Sequence, residues 1–324
     1  MRESWDDFAR RFGTPEGDQR EFIEPPRFVR TGIRTLDATL SGGLSEGVHV
    51  LMAQPGAGKS ALSLTIAMRA AREGCKVLYA SVEMTRQQCL ARCCSAIAHT
   101  TAGLEDFYWS GWERMGWDAR RRVEQYPHLL EDGHELELCE FLSREPAILA
   151  MRELGASCPG LAIADGKEVA SADALVSTTR DGKAAGLDLL VVDYLQSLEP
   201  PSGSEDSEQT TQISRTAEAL RDLAKELRLP ILAISSMNRS GMRSDDVSMS
   251  SAYGSNKIEF GAVSVMQLTK SDLGESNGWT PVRLHVVKNR RGPDTGDDPI
   301  LLWFDKRHNL FQEAEQAKGA VSDA

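Results

Sequence analysis

Val48-His49-Val50-Leu51-Met52-Ala53-Gln54-Pro55-Gly56-Ala57-Gly58-Lys59-Ser60-Ala61 joins a short apolar run to a Gly-rich turn. The run is rich in aliphatic and β-branched residues and predicts a buried strand. Residues 60–73 continue at helical periodicity and stop at Gly74. Strand, glycine turn and helix, in that order, is the context that a phosphate-binding loop requires. Glycines let successive backbone N–H groups face one concavity, and the start of the helix adds its positive end. Gln54, Pro55, Gly56, Ala57, Gly58, Lys59, Ser60 and Ala61 are therefore the candidate nucleotide-binding residues. Lys59 is placed to reach β- and γ-phosphates, and the Ser60 hydroxyl to bind Mg²⁺. Ala53 stands where the pattern G-x-x-x-x-G-K-[ST] has its first glycine, while the glycines nearest the phosphates are kept. The competing reading is a glycine turn with an exposed lysine.

Outward from this loop, residues 76–82 predict a second strand and 85–98 a second helix. Further buried strands are predicted over 161–164, 187–192, 231–235, 263–269, 282–287 and 300–304, and a long amphipathic helix over 208–227, before Pro230. Strands alternating with helices of this length predict an α/β fold: a mostly parallel twisted sheet with helices on both faces. Leu189-Leu190-Val191-Val192-Asp193 delivers one carboxylate at the C-terminal end of a strand, where parallel sheets bind ligands. Asp193 is the second candidate for Mg²⁺, through water. Hydrolysis also needs a group that orients or deprotonates the attacking water. Glu83, at the end of the second strand, is that candidate; a surface glutamate is the alternative.

The chain has 324 residues, with 37 Lys and Arg against 48 Asp and Glu, a net charge of −11. This length suggests about two domains or one large α/β domain with an insertion. The acidic total argues against a protein that coats nucleic acid through a bulk basic surface, but it leaves room for a local basic groove. No run approaches the ~20 apolar residues of a membrane span. The polar start, Met1-Arg2-Glu3-Ser4-Trp5-Asp6-Asp7, is unlike a secretory signal. The cysteines form no C-x-x-C pair, which reads as reduced thiols in a cytoplasm. Cys89 and Cys93 lie four apart and could share a helix face as metal ligands, but core packing explains them more simply.

The organisation expected is an N-terminal arm over 1–30, a motor domain over 31–312 and a tail over 313–324. Residues 105–145 stand apart, with eleven acids, five bases and Trp109, Trp112 and Trp117, and read as a helical insertion. The tryptophans are either the insertion's own small core or a binding surface for a protein partner. Most of the negative charge sits in this insertion, whereas 282–293 carries Arg283, Lys288, Arg290 and Arg291 with no acid.

Four stretches occur in a fixed order: Ser81-Val82-Glu83-Met84, Asp193-Tyr194-Leu195-Gln196, Ser235-Ser236-Met237-Asn238-Arg239 and Lys288-Asn289-Arg290-Arg291-Gly292-Pro293. The set resembles the C-terminal motor domain of the DnaB family of replicative hexameric helicases, which are RecA-like P-loop ATPases. It covers roughly 30–312 apart from the insertion, without that family's N-terminal collar domain. The resemblance implies that Glu83 is the catalytic glutamate and that Arg92 lies near the nucleotide base. It implies that Lys288 and Arg290 are a lysine and an arginine finger reaching into a neighbouring subunit's ATP in a six-membered ring. Two cations two residues apart on a strand point the same way and would stabilise charge on the γ-phosphate. The loop over 239–257 would line the central channel, with Arg243, Tyr253, Ser255, Asn256 and Lys257 against single-stranded DNA; a solvated mobile loop is the alternative.

Three positions depart from the family's pattern. Ser236 replaces a glutamine that couples γ-phosphate to the channel loop, Asn256 a channel-loop glycine, and Val263 an aspartate. The function implied is an ATP- and Mg²⁺-dependent, oligomeric, cytoplasmic helicase or translocase acting on single-stranded DNA, with a role in DNA replication. The alternative is a RecA-like switch or scaffold for a protein partner, in the manner of KaiC and RadA. Thr31-Gly32-Ile33-Arg34-Thr35-Leu36-Asp37 and Ser41-Gly42-Gly43-Leu44 suit those relatives equally.

Overall fold

The computed structural model describes residues 27–54, 56–99, 101, 146–203, 209–236 and 261–313. Pro55, most of the arm, the insertion and the proposed channel residues Arg243, Tyr253, Ser255, Asn256 and Lys257 lie outside the described residues.

In chain order the elements are β1 (Phe28–Val29), α1 (Arg34–Thr39), β2 (Leu44–Ser45), β3 (Gly47–Ala53), α2 (Lys59–Arg72), β4 (Val77–Ser81), α3 (Arg86–Ala98), α4 (Pro146–Ser157), β5 (Leu161–Asp165), α5 (Ala172–Ala184), β6 (Leu189–Asp193), α6 (Gln209–Leu227), β7 (Pro230–Ser236), β8 (Ser264–Lys270), β9 (Trp279–Asn289), β10 (Ile300–Asp305) and β11 (Leu310–Glu313). A nine-stranded sheet runs in the order β11-β10-β9-β8-β3-β7-β6-β4-β5. From β8 to β5 the pairings are parallel. The last three strands, β9, β10 and β11, are added antiparallel. This is the mostly parallel α/β architecture expected from the alternation of strands and helices. Phe28 and Val29, from the stretch read as arm, pair with Ser45 and Leu44 in a separate two-stranded ribbon.

Both faces of the sheet are covered, which is why its central strands are apolar almost throughout. Side chains alternate across a strand. Leu51 and Ala53 of β3 enter one layer with α2, α3 and α4, while Val48, Val50 and Met52 enter the other with α5 and α6. Cys89, Cys93, Cys94 and Cys158 are free thiols packed in the first layer, as the packing reading expected. No helix among the described residues is long and apolar enough to cross a membrane.

Two strands differ from the sequence reading by more than one residue at an end. β6 begins at Leu189, not at 187, because the Leu187 N–H closes the end of α5 on the Gly182 carbonyl at 2.9 Å. β9 extends to Trp279–Asn289 because residues 279–284 pair with β10 and residues 282–289 with β8. The sequence reading did not predict α1, α4, α5, β1, β2 or β11, which are short or weakly patterned.

Candidate nucleotide site

The phosphate loop is shaped by two left-handed glycines, Gly56 at φ 77° and Gly58 at φ 96°. The Ala57 N–H returns to the Gln54 carbonyl at 3.2 Å and closes the turn. Gly58 is the N-cap of α2 and has no side chain with which to cap it. The N–H groups of the helix's first turn therefore face a site suited to an anion. A Cβ on Gly58 would come within 2.9 Å of Phe311 and 3.1 Å of Phe304. Those two rings stack at 4.4 Å and form the floor beneath the loop. Arg69 of α2 anchors that floor by donating to the Phe311 carbonyl at 2.7 Å, and it also donates to the Gly32 carbonyl at 2.9 Å.

Lys59 folds back over the loop, its Nζ donating to the Ala53 carbonyl at 3.0 Å and the Gln54 carbonyl at 3.4 Å. Burial pulls its pKa down, while the carboxylates of Asp193 and Glu83 oppose that shift. Ala53, the departure from the first glycine, is the fully buried last residue of β3, so its methyl group belongs to the core.

Asp193 ends β6 and is 2 % exposed. It accepts a 2.7 Å hydrogen bond from the Tyr79 hydroxyl. Burial raises the pKa of its carboxyl, and the nearby Ser60 and Tyr79 hydroxyls oppose the rise. The Tyr79 hydroxyl also lies 3.0 Å from Ser63 Oγ, and Ser63 Oγ donates to the Ser60 carbonyl at 3.0 Å. One network thus ties both residues predicted for Mg²⁺ together. Beyond β6, Gln196 donates from Nε2 to Ser235 Oγ at 2.8 Å and accepts from the Ser236 N–H at 3.4 Å.

A cleft of about 510 Å³ gathers these groups at the C-terminal edge of the parallel strands. Gly56, Gly58, Lys59, Ser60, Ala61, Glu83, Arg92 and Asp193, all predicted site residues, line it. Glu83 is exposed into it, just past the end of β4. The sequence reading missed Tyr194, Phe304, Lys306 and Asn309, which also line it, and the buried Tyr79 behind it. Ser236 lines it as well, at the position of the family's glutamine. Lys288 and Arg290 are not among its lining residues. Lys288 pairs with Val265 beside a β-bulge, and the exposed Arg290 follows β9 with its N–H on the Val263 carbonyl at 2.9 Å. The space beside Gly56 is open, and Ser60 with Asp193 offers the hydroxyl and carboxylate oxygens that suit Mg²⁺.

The DnaB-like helicase C-terminal domain family matches residues 29–155 and 147–313. The replicative DNA helicase DnaB of Geobacillus stearothermophilus is 27% identical over 293 residues, which cover 89% of this chain and 57% of that protein. The Leifsonia xyli subsp. xyli protein of the same name is 28% identical over 275 residues, 82% of this chain and 52% of the relative. The chain thus spans about half the length of the curated relatives it matches. Among solved structures, an ATPase domain aligns with TM-score 0.69 at 22% identity, covering 97% of this chain and 99% of that one. A DnaB-like replicative helicase, solved in a study of its interactions with primase, aligns with TM-score 0.66 at 22% identity, over 96% of this chain and 67% of its own. The alignments to solved structures show a shared fold, and the family match spans the phosphate loop, Glu83 and Asp193: the chain belongs to the DnaB-like helicase C-terminal domain family.

Proposed function

We propose that this chain is an ATP-hydrolysing motor that assembles head to tail and moves along single-stranded DNA. The observation that carries the reading is the meeting of Lys59, Ser60, Glu83 and Asp193 in one cleft at the end of the parallel strands. The loop N–H groups and Lys59 bind and orient the phosphates. Ser60 and Asp193 would hold Mg²⁺, which would neutralise phosphate charge. Glu83, exposed into the same cleft, would take the proton of the attacking water. Arg92, Tyr194 and Asn309 line the rest of the cleft and would border the remainder of the nucleotide.

Lys288 and Arg290 act on the neighbouring subunit's nucleotide. Their position outside this chain's own cleft and the exposure of Arg290 favour that role. A finger supplied in trans requires a head-to-tail neighbour, which closes into a ring or winds into a filament. Single-stranded DNA is expected on the 239–257 loop, and a protein partner on the acidic 105–145 segment is the further contact suggested by its charge.

Phosphate release with and without single-stranded DNA tests the reading. Hydrolysis stimulated by DNA and abolished by Lys59→Ala or Glu83→Gln is the expected result. Arg290→Ala should also abolish it, and mixing that variant with Glu83→Gln subunits should restore part of the activity. Hydrolysis indifferent to DNA, with no DNA binding at low salt, would overturn the translocase and favour a nucleotide-dependent switch. Electron micrographs with an ATP analogue distinguish ring, filament and monomer.

A further inference from the structure

One cluster of metal-ligand side chains takes no part in the nucleotide site. His99 closes the C-terminal end of α3, Asp305 ends β10, and His308 sits in the turn that leads to β11. Asp305 Oδ2 lies 2.6 Å from His308 Nδ1 and 3.7 Å from His99 Nδ1. One ligand atom from each of the three residues falls within 4.8 Å of the other two. The two imidazoles stand 4.8 Å apart between ring centres, and Trp279 meets His99 edge-on at 5.5 Å. Asp305 and His308 are buried, and His99 sits at the rim.

A buried His–Asp hydrogen bond accounts for only part of this arrangement. The 2.6 Å contact is such a bond, but 3.7 Å is beyond hydrogen-bond reach, yet the second imidazole faces the same oxygen. The other carboxylate oxygen, Oδ1, accepts the backbone N–H groups of Arg307 at 2.9 Å and His308 at 3.2 Å. Those bonds orient the carboxylate from behind, as outer-shell donors do for metal ligands. Nitrogen ligands from two separate elements thus converge on one oriented carboxylate.

We propose that His99, Asp305 and His308 form a binding site for a zinc-type divalent transition metal, with three protein ligands and an open fourth position. Metal–ligand distances of about 2.0–2.1 Å in a tetrahedron place ligand atoms roughly 3.3 Å apart. The contacts of 2.6 and 3.7 Å bracket that separation, and the two imidazole nitrogens, within 4.8 Å of each other, would draw together around the ion. Imidazole and carboxylate together suit Zn²⁺ and its first-row neighbours, whereas Mg²⁺ favours octahedral oxygen. The ion would tie the end of α3 to the β10–β11 turn, which Ser95 Oγ already links by donating to the Arg307 carbonyl at 3.1 Å. Lys306 and Asn309 of that turn line the nucleotide cleft, so the ion would brace one wall of it.

The test uses the full chain and Co²⁺ alone as the spectroscopic probe, with Mg²⁺ in excess to occupy Ser60 and Asp193. A tetrahedral ligand-field band saturating at one equivalent, displaced by Zn²⁺, is expected. His99→Ala and Asp305→Asn should each weaken Co²⁺ binding at least tenfold, while Lys59→Ala should leave it unchanged. Zn²⁺ should raise the Tm of the parent chain and not that of His99→Ala, a rim substitution compatible with folding. Equal Co²⁺ stoichiometry and affinity in the parent and His99→Ala would overturn the proposal and place the ion elsewhere, such as on His128, His134 or Cys139. Absence of any tetrahedral band in the parent would overturn it too.

Discussion

The Tyr79 hydroxyl donates a 2.7 Å hydrogen bond to the Asp193 carboxylate from the neighbouring strand. Tyr79 is fully buried and does not line the cleft, so it positions the carboxylate from behind. Tyr79→Phe removes one of the donors that oppose the burial-driven rise in the Asp193 pKa. With Asp193 holding Mg²⁺ as proposed, losing an outer-shell partner of that ligand would typically cost 10–100-fold in metal affinity or activity. The half-saturating Mg²⁺ concentration for phosphate release should therefore rise by about tenfold or more. The acid limb of the pH profile should move to higher pH, because the carboxyl protonates more readily. An unchanged Mg²⁺ titration would show that the bond is only structural.

Gly58→Ala should remove nucleotide binding. The residue sits at φ 96°, and the added methyl carbon would lie 2.9 Å from Phe311. Strained backbone of this kind costs on the order of 1–3 kcal/mol. Relief requires the loop to turn its N–H groups away from the phosphates. Binding of a fluorescent ATP analogue and a thermal melt check both effects. Retained affinity with a lowered Tm would separate the loop's shape from its role in binding.

His49 makes the fold sensitive to acid. Its ring is fully buried, with Nδ1 2.7 Å from Ser264 Oγ and Nε2 2.8 Å from the Ser45 carbonyl. The carbonyl can only accept, so Nε2 carries the proton and Nδ1 accepts from the Ser264 hydroxyl. Burial pushes the pKa down from 6.5 to about 4. Between these values the unfolded chain holds more protons than the folded one, so stability falls as pH falls. The stabilisation is complete above pH 6.5 and is lost toward about pH 4. Its full size is on the order of 3 kcal/mol. His49→Gln, which keeps one donor and one acceptor, should flatten this part of the Tm-against-pH curve; an equally steep curve would refute the assignment.

Glu313 caps α1 from the far end of the chain. Its carboxylate accepts the Arg34 N–H at 2.9 Å, the Thr35 N–H at 2.9 Å and the Thr35 hydroxyl at 2.6 Å. These are first-turn donors of a helix whose own N-cap, Ile33, makes no side-chain cap. Glu313→Ala should cost about 1–2 kcal/mol, the range of a lost cap. Urea denaturation checks it: the midpoint should fall with the slope unchanged, and an unmoved midpoint would show that the cap is energetically idle.

The phosphate loop, Asp193 and the alternation of strands and helices were legible in the chain because they are local, whereas Glu83 stood out only through the motif order. A glycine turn must be contiguous, and the periods of two and 3.6 residues are written along each element. The motif order carried the family for the same reason. Tyr79, by contrast, reads in the sequence as any strand aromatic. Only the parallel register that sets Tyr79 beside Val191 and Ser81 beside Asp193 turns its hydroxyl toward the carboxylate. Phe304, Lys306 and Asn309 reach the cleft, and Glu313 reaches α1, because the antiparallel strands fold the end of the chain back beneath α2. His99 likewise meets Asp305 across more than two hundred residues. Local pattern determined which segments are strands, helices and phosphate loop; long-range register alone determined which polar side chains meet, since such pairings leave no periodic mark on the sequence.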